Sequence, residues 1–166
     1  MDFLDRFLGH DAWTTARLLQ QSRVLTDEQL DQQFDLGWRS VRSTLKHIID
    51  NMETWVDLMN GGPLRNHPEP AAYWQTLDGL WERLIQASED LAILAHQVQT
   101  ERRWDHTWVD FLDEPPRHKT YGAAITHVIT HSMHHRAQLI HMLRKLNVKD
   151  VIEGDVLSWE QHHTVT

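Results

Sequence analysis

An all-α fold, a four-helix bundle forming a single domain over residues 1–166, is what this sequence predicts, and two observations predict it. Apolar residues recur at three- and four-residue intervals along four long segments, the period of one helix face. Almost nothing alternates with the two-residue period of a half-buried strand. Four amphipathic helices in one short chain can bury their stripes only against each other, which is the packing of a bundle.

The first helix is expected over residues 2–22, where Phe3, Leu4, Phe7, Leu8, Trp13, Ala16 and Leu19 share a face. Thr26 and Gln29 have the spacing of a capping box, in which each side chain bonds the other's backbone N–H, and they open a short helix in LTDEQLDQQF. Gly37 interrupts the pattern. Ser40 or Ser43 starts the second long helix, with a stripe of Val41, Leu45, Ile48, Met52, Trp55, Val56 and Met59, and Asn60-Gly61-Gly62-Pro63 stops it. Leu64 to Pro70 reads as a loop, with Pro70 placed in the first turn of the third helix. That helix carries Trp74, Leu77, Trp81, Leu84, Leu91 and Leu94 on one side. Thr100 to Lys119 is charged, holds two prolines and contains one strand-like piece, residues 107–111, which suits either a two-stranded ribbon or a long ordered loop. Thr120 caps the last long helix, which runs to about Leu146. The tail with Val156, Leu157 and Trp159 is expected to pack back on the bundle.

Composition narrows the function classes. The chain has no cysteine, which excludes disulfides, thiolate metal sites and cysteine nucleophiles together. A net charge of −8 opposes binding to a phosphate backbone, so no nucleic-acid partner is expected. No apolar run reaches the ~18 residues of a membrane span, and Met1 leads directly into an amphipathic pattern. A cytoplasmic protein with a small-molecule substrate and no membrane partner is the expectation.

The chemistry-bearing residues are histidines. YGAAITHVITHSMHHRAQLIHML, from Tyr121 to Leu143, holds His127, His131, His134, His135 and His141. At about 100° per residue, His127 and His135 flank His131 by about 40° on either side, and His134 and Gln138 fall within about 60° of it. This face overlaps the apolar stripe of Ala124, Val128, Leu139, Met142 and Leu146, so the rings border the core, whereas His141 sits at its trailing edge on the surface. Desolvated imidazoles crowded together cannot all be charged, and a divalent cation takes their neutral nitrogens. Histidines satisfied within the core fit the same pattern. A third ligand must come from another helix, and His47, in STLKHIIDNMETW, is on the flank of the second helix. Three histidines leave coordination positions open, as in catalytic metal sites. Geometry leaves His127 with His131 and His131 with His135 equally good as the i, i+4 pair. A zincin would need Glu directly after the first His, and a di-iron bundle would need repeated Glu-x-x-His, found only once, from Glu160 to His163.

The stretch THSMHHRAQ, Thr130 to Gln138, resembles the H-x-x-x-H-R-G-Q signature of the DinB/YfiT-like superfamily of metalloenzymes, with Ala137 where Gly is usual. LKHIID lies about eighty positions upstream, and FLGHDAWTTARLL, the Gly-rich end of the second helix and GDVLSW extend the resemblance over most of the chain. It implies an up-down-down-up four-helix bundle, a homodimer, and metal ligands at His47, His131 and His135. His127 then lines the pocket or backs a ligand, with His134 and Gln138 near it. Asp50, one turn from His47, is either its hydrogen-bond partner or a solvated carboxylate. Arg136 points away from the histidines and is expected in a salt bridge.

A metal held by three neutral imidazoles keeps its charge and acidifies what binds beside them. Members of the superfamily include transferases and an isomerase that use low-molecular-weight thiols such as bacillithiol or mycothiol. The resemblance therefore implies a divalent-metal-dependent thiol S-transferase acting on electrophilic small molecules, with zinc or nickel and a thiol cosubstrate. A metal-water hydrolase and a non-catalytic, stress-associated metal- or ligand-binding bundle are the alternatives. Protons compete for imidazole near its ordinary pKa of ~6.5, so metal occupancy is expected to fall between about pH 7 and 5.

Overall fold

The computed structural model describes residues 1–164, and its chain is mostly helical, with one small sheet. Four long helices dominate: α1 (Phe3–Ser22), α3 (Val41–Met59), α4 (Leu77–Thr100) and α5 (Tyr121–Lys145). α1 and α3 each pack against both α4 and α5. The stripes meet in one core, in which Leu18, Leu45, Ile48, Leu84, Leu91, Leu139 and Met142 are fully buried. No helix among the described residues is long and apolar enough to cross a membrane.

Local chemistry sets the helix starts. Asp2 and Asp5 form a reciprocal capping box at α1, and Ser40, Thr76 and Thr120 each accept a backbone N–H three residues on. The short helix α2 is only Asp27–Leu30, although Thr26 and Gln29 form the expected capping box. Arg42 of α3 bridges Asp27 and Asp31, one turn apart, and so ties this short helix to α3.

Three expectations need correction. Pro70 and Trp74 precede the third long helix instead of starting it. α4 begins at Leu77 behind the Thr76 cap, and Tyr73–Gln75 form a separate 3-10 turn, with the Trp74 indole donating to the Pro68 carbonyl. Gly79 permits this turn to press on the helix, since any Cβ there would overlap the Tyr73 carbonyl. Phe3 and Phe7 are exposed (81% and 53%), while Leu4 packs against the edge of the core and Leu8 is buried in it. In the tail, α6 (Val156–Thr164) buries Trp159 against Gly9 of α1 but leaves Val156 and Leu157 exposed. Of the two readings of 100–119, the ribbon is the one observed: β1 (Thr107–Asp110) buries Trp108 and pairs antiparallel with β2 (Arg117–Thr120), which leads directly into α5.

Candidate metal centre

α3 contributes His47 and α5 contributes His131 and His135, one turn apart on one face. His131 Nε2 lies 3.2 Å from His47 Nε2 and 3.2 Å from His135 Nε2. The three ligand nitrogens are all within 4.8 Å of one another. Two nitrogens each 2.0–2.1 Å from a tetrahedral cation stand about 3.3 Å apart, so the spacing suits a single ion.

The arrangement is poorly served without one. A neutral ring nitrogen carries either one N–H or one lone pair, so His131 Nε2 can complete only one of its two contacts as a good hydrogen bond. Protonation offers no escape. Burial, then the charge of His135, pushes both His47 and His131 down to about 4, and burial also lowers His135. Three neutral lone pairs aimed at one point are the donor set of a divalent cation.

These shifts move the expected pH window. Because both rings resist protonation in the fold, metal occupancy should hold below pH 6.5 and fail only as pH nears about 4. The metal-free protein has its own dependence. The unfolded chain binds protons near pH 6.5 and the fold only near 4, so stability is full above 6.5 and declines as pH falls through that interval. Urea unfolding with chelator at pH 7, 5.5 and 4.5 should show the decline, and a flat profile would contradict it.

Neighbouring groups orient the rings. Gln138 Oε1 accepts from His135 Nδ1 at 2.9 Å, which leaves the Nε2 lone pair facing the cluster, and its amide nitrogen donates to His134 Nε2 at 3.0 Å. Trp38 stacks on His47, with ring centroids 4.1 Å apart. Gly37, in the left-handed region at φ +48, lies against the Gln138 amide, where a Cβ would collide. Gly37→Ala is therefore expected to displace Gln138, free the His135 ring and weaken metal binding by about 10- to 100-fold, measured by chelator competition. Sequence reading took Gly37 only as a break and passed over Trp38. The signal available was a Gly-Trp pair three residues before a helix start.

A model of the DinB family matches residues 1–153, which takes in all three histidines. The chain belongs to the DinB family. No curated protein matches it significantly.

In this DinB-family chain the remaining candidates divide. Asp50 does not serve His47: its oxygens bond Lys46 and Arg83. Arg83 is buried and also holds the buried Glu53, so Asp50 belongs to a charge network that ties α3 to α4. His127 stays outside the triad, its ring against His131 at 5.2 Å and Trp55 at 4.9 Å, and burial lowers its pKa, helped by Lys119. It lines a cleft of about 550 Å³ beside the triad, with Trp55 and Lys119. His134 is exposed and held by Gln138, and His141 is exposed. Arg136 is buried in an ion pair with Asp11 of α1.

Proposed function

We propose that this DinB-family protein is a divalent-metal-dependent enzyme that transfers a low-molecular-weight thiol to electrophilic small molecules, with zinc or nickel at His47, His131 and His135. The convergence of three neutral imidazole nitrogens carries this reading. A cation bound there supplies positive charge that lowers the pKa of a coordinated thiol. The residues hold that position: His135 is oriented by Gln138, and His47 is backed by Trp38. The chain has no cysteine, so the thiol must come as a cosubstrate.

Thiol transfer is favoured over hydrolysis by the absence of a carboxylate. Among the described residues no acidic group joins the cluster, and Asp50 is committed to Lys46 and Arg83. Water held by such a cation titrates at about pH 7 and gains from a base beside it, whereas a coordinated thiol is deprotonated outright and needs none.

We also propose the up-down-down-up bundle as the scaffold, and cross-helix contacts support it. Asp2 with Gln99 and Arg23 with Asp78 make α1 and α4 antiparallel, and Asp50 with Arg83 and Asp57 with Arg65 and Asp90 make α3 and α4 parallel. His47 with His131 and Tyr121 with the Met59 carbonyl make α3 and α5 antiparallel.

The test is metal analysis of purified protein, then conjugation of cysteine, glutathione or bacillithiol to 1-chloro-2,4-dinitrobenzene. Metal-dependent turnover abolished by chelator supports the proposal. Metal uptake without turnover, across thiols and electrophiles, would leave a binding protein.

A further inference from the structure

The cleft beside the triad has a composition of its own. Trp55 on α3 and Ala123 and Ala124 on α5 give it apolar walls, and its polar edge is His118 and Lys119 of β2 with His127 of α5. No acidic side chain is among the described residues that line it. That is notable on a chain whose net charge is −8. The Lys119 ammonium sits 4.9 Å from the Trp55 ring centroid and is anchored by Asp110 and Asp113, neither of which lines the cleft. Burial opposes its charge, yet the bonds to those carboxylates outweigh it and hold the ammonium above its ordinary pKa. An aromatic wall next to a fixed cation, with a volume of about 550 Å³, is a pocket for one small ligand.

The cleft opens next to the metal ligands, because His127 touches both Trp55 and His131. We infer that this cleft binds the electrophilic substrate and selects aromatic carboxylates, with the ring against Trp55 and the carboxylate at Lys119 and His118. Its place in catalysis rests on the metal-dependent transfer proposed above, but its ligand preference does not. Because the His127 ring contacts His131, the end of the ligand that faces away from Lys119 would lie on the side of the three histidines. Specificity in this family member then comes from Trp55, the β-ribbon and the first turn of α5, and reactivity from the histidines about two and three turns further along α5.

Benzoate and its neutral counterpart benzyl alcohol test this by calorimetric titration into the full chain, once loaded with zinc and once with chelator. Benzoate should bind about tenfold more tightly than benzyl alcohol in both states, the gain of a hydrogen-bonded charge pair. Ala123→Trp places an indole in the cleft from an exposed helical position and should weaken benzoate by about tenfold or more, while His118→Ala should weaken it by several-fold. Zinc affinity, read by chelator competition, should be unchanged in both variants. Equal binding of the two probes, or no effect of Ala123→Trp, would overturn the inference. So would benzoate binding that disappears with chelator, which would mean a carboxylate ligating zinc. Failure of the wild type to take up zinc would instead defeat the metal reading, leaving the chelator-treated titrations to decide the cleft.

Discussion

Replacing His135 with Ala is expected to remove at least half of the metal-dependent stabilisation while leaving a folded protein. A ligand present at 100 times its dissociation constant stabilises the fold by about 2.7 kcal/mol, and that increment should appear in the wild type as a rise in melting temperature. His135→Ala removes one of three nitrogens and the acceptor contact of Gln138, so affinity should fall by at least the 10- to 100-fold typical of losing a group that merely orients a ligand. The core stripe of Val128, Leu139 and Met142 is untouched, and the ring lies at the edge of the core, with 8% of the residue exposed. If the histidines were only core residues, the change would cost about 1–3 kcal/mol and metal would alter neither melt. Melts of both proteins with metal and with chelator separate the two outcomes.

Arg136→Met is expected to cost more stability than any change at the metal site. Arg136 and Asp11 form an ion pair with side chains 3% and 2% exposed, and Arg136 also reaches the Asp11 carbonyl and Thr15. Burial pushes the Asp11 carboxyl above its usual range even with the guanidinium beside it, so its charge is already expensive. Removing the arginine leaves that carboxylate without a partner, a loss of about 3–5 kcal/mol. Against a total of roughly 5–15 kcal/mol for a domain, this is large. The pair is not the cheapest way to fill the space: Asp11 Oδ2, Arg136 Nη2 and the hydroxyls of Thr14 and Ser132 are buried without protein partners. Asp11→Leu combined with Arg136→Met should therefore recover most of the loss. Urea unfolding of the single and double variants decides this, and a double variant no better than the single would refute it.

The helices were legible for a local reason. Each stripe and cap lies within a few residues of its own chain, so Asp2, Ser40, Thr76 and Thr120 work as starts wherever the helix later docks. The errors fall where another segment intervened. Pro70 suits a first helical turn by itself, but Trp74 and Gly79 favour a 3-10 turn that packs on α4. Phe3 and Phe7 satisfy the helical period, yet they lie on a side of α1 that no other helix among the described residues covers, while Leu4 beside them packs on the core.

For the candidate site, the sequence by itself determined which residues were available: histidines with helical spacing on α5, one on the flank of α3, and no cysteine to compete. It could not choose between the pairs His127–His131 and His131–His135, because periodicity fixes an angle about one helix axis and says nothing of the height at which another helix crosses. The family motif pointed to the second pair. The tertiary structure sets His47 level with His131 and His135, and Trp55, two turns further along α3, level with His127. Docking alone also decided that Asp50 turns to Arg83, that Trp38 stacks on His47, and that Gly37 leaves room for Gln138. Those contacts join residues 33, 9 and about 100 positions apart, set by how the helices and the loop before α3 pack, and such packing leaves no periodic trace in the sequence.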